Sequence, residues 1–575
     1  MKSTNRSCPG SGLKNLFLTD KLESVGLVHP LIALIFVAAI GLPSQAEESR
    51  SKKNHSDIPQ MQEQAAKAGI AHIYDGPWEF FVGGGGSALD CNADRRPDLV
   101  LAGGTNPLQL FVNKSPTGGE LNFEAKKLDI KDDDLLNILG TYALDLDNDG
   151  HTDLVLLRLG ENIILKGGAD CTFTKANQAF AFDGGNAWTT SFAATFEKEE
   201  IFPTLAFGNY VDRDAPGSPW GTCHDNLLLR PRSGNVPDYS TQTKLQPGYC
   251  SLSMLFTDWN KSGTASLRVS NDRQYYRGGE EQLWHINKGQ PPQLYSRDDG
   301  WRHLTIWGMG IAEADINGDG FPEYALTSMG DTKLQSLDPQ ANGLPIYADI
   351  AWERGATAHR PYTGTDLNPS TGWHSQFDDF NNDGILDLFI AKGNVEKMPD
   401  FANFDPDNLL LGQVDGKFVE VGDLSGIALA SKGRGAVIAD FNMDGMLDLV
   451  VINRGGPASI FRNLGAINKQ VPERPRTMGN WLQIELQQKG ANRDAIGALI
   501  SIKSGNNNRT RRVRIGGGHA SGSLGFIHVG LGVAERAMIR IKWPDGSWSS
   551  PYRVFANQFV VIERDDAIAK YWFPE

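Results

Sequence analysis

A short acidic segment recurs along the chain and constrains the fold more than any other feature. An early copy, from Asp90 to Asp98, keeps the acidic positions but has Arg95 where the best copies have glycine. Degenerate copies begin at Asn209 and Asp258, so seven starts are separated by 49 to 64 residues. Repeats of this length indicate a solenoid or a closed ring of small units. The best copies read D-x-(D/N)-x-D-G-x-x-(D/E) and begin at Asp145, Asp315, Asp379 and Asp440.

The spacing within each copy has a direct chemical meaning. Side-chain oxygens at positions 1, 3, 5 and 9, a carbonyl at position 7 and a glycine at position 6 suit a hard cation such as Ca²⁺. An EF-hand is excluded because position 12 is apolar, as at Leu156 and Val451, and strand-forming residues follow position 9. The loops therefore join strands and predict about four to five Ca²⁺ ions. The candidate ligands are Asp90, Asn92, Asp94, Asp98, Asp145, Asp147, Asp149, Asp153, Asp315, Asn317, Asp319, Glu323, Asp379, Asn381, Asp383, Asp387, Asp440, Asn442, Asp444 and Asp448.

The charge balance agrees with this interpretation. The chain has 69 acidic and 55 basic residues, a formal charge of −14. Such a balance argues against binding to nucleic acid, which needs clustered Lys and Arg. The alternative is that these Asp, Asn and Gly clusters only form turns, and it applies best to the copies at Asn209 and Asp258, which lack most carboxylates.

The first 46 residues are typical of a cleaved signal peptide. Basic residues precede an apolar run from Leu31 to Leu42, and small residues follow up to Ala46. The run is short for a bilayer span, so we expect no stable membrane span after cleavage, although an uncleaved anchor is the alternative. Residues 47–74 are interpreted as an N-terminal extension. The predicted location is secreted, periplasmic or at the cell surface.

Four cysteines remain after cleavage, and an exported chain meets oxidising conditions. One or two disulfides are expected, and Cys223 with Cys250 is the preferred pair because it closes the shortest loop. Buried free thiols are the alternative, above all for Cys91 and Cys171.

Glycine-rich approaches precede several acidic loops, for example Gly83 to Gly86 before Asp90 and Gly433 to Gly435 before Asp440. Loop and approach together resemble the FG-GAP or VCBS repeats of integrin-α-like proteins. The resemblance implies an all-β, seven-bladed β-propeller over residues 75–465, with Ca²⁺ in its loops.

A different module follows a Pro-containing linker at residues 466–479. Residues 480–575 alternate in strand fashion and predict a small all-β domain. The stretches Asn492 to Ala498, Gly516 to His519 and Trp543 to Gly546 resemble the ASPIC/UnbV module of the cartilage acidic protein family, which implies no particular chemistry. The last stretch reads as a turn between strands. The basic cluster Arg509, Arg511, Arg512 and Arg514 is interpreted as a solvated strand and turn, with a polyanion-binding stripe as the alternative.

No catalytic motif stands out in the sequence. His374 and His519 are the two residues that we would test as general bases, although each is interpreted first as a structural histidine. Six tryptophans near the unit boundaries are interpreted as core residues between blades, or alternatively as a sugar-binding face: Trp188, Trp220, Trp301, Trp307, Trp352 and Trp373.

The sequence thus predicts a secreted calcium-binding propeller that acts as a binding or adhesion module for an extracellular protein or glycan at a cell surface or in a matrix. Insertions at residues 212–224 and 331–376 are expected to carry recognition, since loops vary while sheets hold the frame. The alternatives are an exported enzyme with its site in the propeller funnel, and a structural component of an extracellular assembly.

Overall fold

The acidic repeats coincide with the first hairpins of seven four-stranded antiparallel units, which we call sheets, although the fifth and sixth are joined into one eight-stranded sheet by the pairing of Met329 with Thr371. In every acidic repeat the loop lies between the innermost strand and the second strand of its sheet. The computed structural model describes residues 57–215, 222–272, 279–467, 477–505 and 507–575. The predicted signal peptide and most of the predicted linker lie outside these residues.

We number the sheets 1 to 7 in the order of their inner strands. Sheet 1 contains β2 (Gly86–Leu89), β3 (Asp98–Leu101), β4 (Gln109–Asn113) and β5 (Phe123–Lys126), and sheet 2 contains β6 (Ile138–Leu144), β7 (Asp153–Arg158), β8 (Ile163–Gly168) and β9 (Thr172–Lys175). Sheet 3 contains β10 (Thr189–Thr195), β11 (Thr204–Asn209), β12 (Asn226–Leu229) and β13 (Gln242–Leu245), and sheet 4 contains β14 (Ser251–Thr257), β15 (Ser266–Asn271), β16 (Gln282–His285) and β17 (Gln293–Leu294). Sheets 5 and 6 contain β18 (Gly308–Ala314), β19 (Glu323–Gly330), β20 (Lys333–Leu337) and β21 (Tyr347–Asp349); β22 (Ser370–Asp378), β23 (Asp387–Lys392), β24 (Asn408–Gly412) and β25 (Phe418–Glu420). Sheet 7 contains β26 (Gly433–Ala439), β27 (Asp448–Asn453), β28 (Ser459–Ala466) and β1 (Pro59–Glu63).

The sheets follow one another around a closed ring. Each inner strand contacts the inner strand of the next sheet, and β26 of sheet 7 contacts β2 of sheet 1. The ring is closed a second time by β1, which pairs antiparallel with β28. The sequence analysis treats residues 47–74 as an extension, whereas the structure uses Pro59–Glu63 as the outermost strand of sheet 7. A strand from the other end of the chain was not visible in the repeat period because it precedes the first acidic loop.

The inner and second strands are buried on both faces, as sheets packed on two neighbours require. All seven residues of β6 and all six of β27 are buried. Continuous apolar runs such as Leu449 to Ile452 therefore form strands rather than helices, because β-branched residues fit a pleated buried surface. The all-β fold class predicted from the sequence is confirmed.

Helices are short and lie between sheets or strands. The segment 331–376, interpreted from the sequence as an insertion, is not one loop: it contains β20, β21 and the first part of β22, separated by loops at residues 338–346 and 355–369. The sequence analysis was wrong there because the outer strands of sheet 5 are polar and resemble a loop. The 3₁₀ helices are Trp78–Phe81, Asp132–Leu135 and Ala169–Cys171, and the α-helices are Ala351–Arg354 and Gly422–Ser425.

The C-terminal module consists of two further four-stranded sheets. Its core contains buried aliphatic residues from both sheets, including Ile484, Ile500, Ile539 and Val560. The predicted turn after Trp543 is confirmed, since it lies between the strands Arg536–Lys542 and Tyr552–Phe555. The strands are β29 (Asn480–Gln487), β33 (Ile527–Gly532), β36 (Gln558–Glu563) and β37 (Lys570–Trp572) in one sheet, and β30 (Leu499–Ser504), β31 (Asn507–Arg512), β34 (Arg536–Lys542) and β35 (Tyr552–Phe555) in the other. A two-residue strand, β32 (Ser521–Gly522), leaves the module and pairs in parallel with β6 of sheet 2.

Both possible disulfides are present. Cys223 is bonded to Cys250, as predicted. Cys91 and Cys171, for which free thiols were the alternative, are also bonded to each other, with their Cα atoms 4.6 Å apart. The expectation of one or two disulfides is thus confirmed at two, and the free-thiol alternative is excluded. The second pair forms because the ring brings the loop of sheet 1 beside the end of β8 in sheet 2, a proximity that a separation of 80 residues conceals.

Candidate functional site

The acidic loops share one backbone conformation, in which positions 4 and 6 are left-handed. The glycines at position 6 have φ values of 82° to 94°, which glycine adopts without steric cost. In the first loop Arg95 occupies this position with φ of 62°, at a cost of about 1–2 kcal/mol for a side chain there. The residues at position 4 are Ala93, Asn148, Gly318, Asn382 and Met443, and all have positive φ.

The carboxylate at position 1 closes the loop by accepting backbone N–H groups from positions 5 and 6. In sheet 7, Oδ1 of Asp440 accepts from Asp444 at 3.0 Å and Oδ2 accepts from Gly445 at 2.7 Å. Asp90 and Asp379 accept the corresponding pair of bonds. These bonds hold positions 1, 5 and 6 around one small volume, as a cation-binding loop requires.

The carboxylate at position 9 has a second role that the sequence pattern did not reveal. In sheet 7, Asp448 accepts the Phe441 N–H at 3.0 Å and, through its other oxygen, the Asn463 N–H at 2.9 Å. It therefore ties the loop to the third strand of the sheet. The same two kinds of bond are made by Asp98, Asp153 and Asp387. All four of these aspartates are 0% exposed.

Burial makes the carboxyl groups of these loops costly to ionise. Burial, reinforced by neighbouring carboxylates, raises the pKa of Asp98 to about 7 and that of Asp153 to about 8. It also raises the pKa values of Asp379 and Asp440 well above the ordinary aspartate value. A cation among the carboxylates would favour their ionised form.

Two buried oxygens point to such a cation. Oδ1 of Asn442 and Oδ1 of Asp145 are both buried and have no hydrogen-bond partner among the residues that the structure describes. In the loop of sheet 2, carboxylate oxygens of Asp145, Asp147 and Asp149 lie within 4.8 Å of one another. A set of ligands made only of oxygens fits Ca²⁺ better than Zn²⁺ or copper.

The loop of sheet 2 also contacts a cation of the protein itself. The Lys166 ammonium, on β8, contacts the carboxylates of both Asp147 and Asp149. Sequence reasoning did not find this lysine because it lies outside the loop, on the third strand. Here a metal ion would have to displace the ammonium group.

The degenerate loops are supported by other contacts. The loop at Asp258 keeps the acidic-loop backbone, with positive φ at Lys261 and Gly263. Its lysine reaches sheet 5, where Nζ lies 3.6 Å from the centroid of the Phe321 ring. After Asn209, the segment of sheet 3 is instead joined by the Cys223–Cys250 disulfide to the start of sheet 4.

The C-terminal module lies on the acidic loops. At position 1, Gln483 donates to Asp440 at 3.4 Å and Thr510 donates to Asp315 at 3.3 Å. Each of the five acidic loops contacts the module through a residue at position 1, 4 or 6. The pairs are Arg95 with Glu485, Asn148 with Asn492, Asp315 with Thr510, Asn382 with His528, and Asp440 with Gln483.

The arginine cluster of β31 and the residues after it contribute to this docking. Arg511 pairs with Asp378 at the end of β22, and the guanidinium of Arg514 lies 3.2 Å from the Glu313 carboxylate. The interpretation as a solvated strand was therefore wrong, and so was the polyanion-binding alternative for these residues. The anionic groups that these arginines bind are carboxylates of the ring.

Beyond β31, residues 513–524 enter the centre of the ring, and we call them the channel segment. Gly517 and Gly518 donate to carbonyls of sheets 4 and 5, each at 2.7 Å, and Ala520 accepts the Thr141 N–H of sheet 2. Every sheet meets the segment: the remaining contacts are Ile515 with Ala194 of sheet 3, His519 with His374 of sheet 6, Ser521 with Gly86 of sheet 1, and Ser521 beside Gly435 of sheet 7. The segment occupies the axis of the ring, and a cavity of about 250 Å³ remains beside it, between the inner strands of sheets 5, 6 and 7 and the C-terminal module.

Steric constraints explain why glycine occupies positions 517 and 518 of the channel segment. Gly517 and Gly518 have φ of 83° and 58°. A Cβ on Gly518 would lie 2.3 Å from the His374 ring. Only glycine fits this approach without displacing the ring.

The two candidate general bases meet here as structural residues. The His519 N–H donates to Nδ1 of His374 at 3.1 Å, and Nε2 of His519 accepts the Gly83 N–H at 3.2 Å. Burial lowers the pKa of His374 to about 4 and that of His519 to about 3. Both rings are held neutral, with a lone pair used as an acceptor.

The tryptophans divide between core and surface. Trp373 packs against His519 at 5.0 Å between ring centroids and lies under the buried Arg434 guanidinium. Trp188 and Trp301 are also buried, whereas Trp307 is 36% exposed and Trp352 is 88% exposed. The core interpretation is therefore right for three of them, and Trp220 lies outside the described residues.

Comparison with known proteins agrees with the two parts of the fold. The family described as FG-GAP-like repeat matches residues 90–156 and 379–451, and the family described as ASPIC and UnbV matches residues 488–569. Cartilage acidic protein 1 of Mus musculus is 28% identical over 284 residues, covering 48% of this chain and 38% of the relative. The human protein of that name is 27% identical over 44% of this chain and 35% of its own length.

The matched region thus spans just over a third of those relatives. A crystal structure of BBS1N in complex with ARL6DN has a TM-score of 0.42 and 10% identity, and covers 72% of this chain and 99% of its own. That likeness is too weak to add to what the sheets themselves show. Among the described residues, no helix has the length and apolarity needed to cross a bilayer. The chain combines FG-GAP-like repeats with an ASPIC/UnbV domain, the architecture that cartilage acidic protein 1 also has.

Proposed function

We propose that the protein is a secreted calcium-binding propeller that acts as a binding or adhesion module for a protein or glycan at a cell surface or in a matrix. One observation carries the calcium part. All five acidic loops bury carboxylates at the surface where the C-terminal module docks, and within the described part of the chain buried oxygens of Asp145 and Asn442 have no hydrogen-bond partner.

Residues at positions 1, 3, 5 and 9 of each loop would hold the ion. Bound Ca²⁺ would supply positive charge that balances three or four carboxylates in each loop. The protein's own contribution is geometric, because the hydrogen bonds of Asp440 and Asp448 fix the loop backbone on both sides. We expect about four to five ions, with the loop of sheet 2 weakest because Lys166 already contacts it.

The same loops would hold the C-terminal module in position on the ring. Gln483 and Thr510 contact carboxylates at position 1 directly, so the shape of a loop determines how the module lies on it. The channel segment then joins the module to all seven sheets. Calcium is thus proposed to hold the propeller and the module together as one binding unit.

Export is supported by the covalent structure. Two disulfides lie within the ring, and such bonds persist mainly in oxidising compartments. The matched relatives carry the name cartilage acidic protein. The predicted signal peptide at residues 1–46 completes the proposal.

The test uses the chain from residue 47 to residue 575. Elemental mass spectrometry after dialysis against calcium should find four to five Ca²⁺ per chain, and Mg²⁺ at equal concentration should not displace them. Immobilised protein should then retain a partner from surface extracts or a glycan array in calcium and release it in chelator. Absence of bound calcium would overturn the metal assignment, and absence of any calcium-dependent partner would overturn the binding function.

A further inference from the structure

One sheet of the C-terminal module presents a basic face on β30, β34 and β35, the three strands beyond β31; on β31 the same face contacts the ring through Thr510 and Arg512. Side chains alternate along its strands, so that Ile500, Ile502, Ile539 and Ile541 are buried at 0% exposure. The positions between them point outward. The residues at these outward positions are Leu499, Ser501 and Lys503 on β30, Arg536, Met538, Arg540 and Lys542 on β34, and Arg553 and Phe555 on β35.

The register brings these outward residues side by side. Met538 faces Lys503 on one neighbour and Arg553 on the other, and Arg536 faces Phe555. Five of the nine outward residues are basic and none is acidic. We call Lys503, Arg536, Arg540, Lys542 and Arg553 the outer basic face.

These charges differ from the arginines at the inner edge of the same sheet. Arg511 and Arg514 pair with propeller carboxylates. By contrast, nowhere in the part of the chain that the structure describes does an acidic side chain pair with any residue of the outer basic face. The basic residues are diagonal neighbours across the strands and none is directly opposite another, so the sheet tolerates them while their positive charge remains available to an anionic partner.

Exposed aromatic rings accompany the charges. The Arg540 guanidinium lies 5.0 Å from the Trp548 ring centroid, and that of Arg536 lies 4.9 Å from Phe555. Trp548 is 48% exposed and Phe555 is 55% exposed. Such pairs hold the guanidinium groups over the rings and leave part of each apolar ring face open.

We propose that the outer basic face binds an anionic polysaccharide bearing sulfate or carboxylate groups. From Arg536 to Lys542 the strand spans about 20 Å, and three strands add about 10 Å of width, which fits an extended polymer better than a single small anion. The disulfides place the chain in an oxidising compartment, where polysaccharides are the polyanions that it would meet. The outer basic face would be a second binding surface, separate from the calcium-dependent one proposed above; it rests on the proposed function only for its extracellular setting, and polysaccharide binding there does not depend on calcium.

The experiment compares two variants with equal loss of charge in the full mature chain, in calcium. The first is Arg536→Gln with Arg540→Gln and Arg553→Gln on the outer basic face. The control is Lys114→Gln with Lys127→Gln and Lys131→Gln, three exposed lysines of sheet 1 and the loop after it. Binding to immobilised heparin is measured with increasing salt, and neutral dextran serves as the blank.

Wild-type protein should bind heparin and release with salt. The arginine variant should lose at least about tenfold in affinity, since each cation near an anionic surface contributes measurably, while the lysine control stays within about twofold. Trp548→Ala should weaken binding less than the arginine variant. Absence of heparin binding by the wild type, or an equal loss in the control, would overturn the proposal. So would tighter binding to duplex DNA or to phosphatidylserine vesicles than to heparin. Unchanged heparin binding in chelator would separate this result from the calcium proposal.

Discussion

The loop of sheet 4 has the same backbone as the five acidic loops but a different means of support. Both kinds are left-handed at positions 4 and 6, and in both a carboxylate at position 1 accepts the N–H of position 6. At position 5, however, sheet 4 has Ser262 where sheet 7 has Asp444. Lys261 extends from the sheet 4 loop to the neighbouring sheet.

The difference shows which residues determine the backbone conformation of the loop and which only add negative charge to it. The turn needs only the carboxylate at position 1 and residues that tolerate positive φ, which both kinds of loop have. The extra carboxylates at positions 5 and 9 add repulsion and burial costs that the turn does not require. The proposed cation would balance them. Docking of the C-terminal module does not separate the two kinds of loop, because Arg512 of the module also lies 4.0 Å from Asp258 of the sheet 4 loop.

The largest expected effect comes from removing calcium. A site filled at 100 times its Kd stabilises the native state by about 2.7 kcal/mol, so five sites amount to on the order of 10 kcal/mol. Chelator should lower the melting temperature strongly, and calcium but not magnesium should restore it. Differential scanning calorimetry measures both. A melt that is identical in calcium and in chelator would show that all seven loops are supported in the same way.

The two disulfides should respond differently to calcium. Replacing Cys223 and Cys250 by serine opens a 27-residue loop and should cost about 3–4 kcal/mol, equally in calcium and in chelator. Replacing Cys91 and Cys171 should in addition reduce the calcium count by one, because the Cys91 sulfur lies 2.9 Å from Asp98. Urea unfolding and elemental analysis of both double variants test this. A lost ion in the Cys223–Cys250 variant would contradict the distinction between the loops.

A matched pair of substitutions at position 5 tests the comparison directly. Asp444→Ala should remove one calcium ion and about 2–3 kcal/mol of stability in calcium, whereas Ser262→Ala, on the same backbone, should cost less than about 0.5 kcal/mol. In chelator the two variants should differ little, because Asp444 then contributes repulsion rather than binding. An equal cost for both variants in calcium would mean that Asp444 only forms the turn.

The repeat made the ring and the loop positions predictable, because a fixed pattern of oxygens and glycine specifies a local structure. Contacts between distant segments were not predictable in the same way. Asp448 reads as a ligand, but its bond to Asn463 depends on how the third strand pairs. Arg511 reads as a solvated residue until the module is placed on the ring. Lys166 and β1 are similar cases, since each acts on a loop or strand that is remote in sequence.

The smallest effect concerns pH and distinguishes the channel segment from the loops. His519 has a pKa of about 3 in the folded protein because of burial and the nearby Arg434 and His374, against about 6.5 when unfolded. The unfolded state therefore binds more protons below pH 6.5, and stability that is complete above this pH is lost as the pH falls toward 3.

His519→Gln keeps an acceptor for the Gly83 N–H but cannot titrate. Between pH 7 and pH 5.5 the variant should lose about 1 kcal/mol less stability than the wild type, whatever its stability at pH 7. Urea unfolding at several pH values measures the difference, from which the loop carboxylates cancel because both proteins contain them. Parallel pH profiles would show that the acid sensitivity belongs to the loops and not to the channel segment.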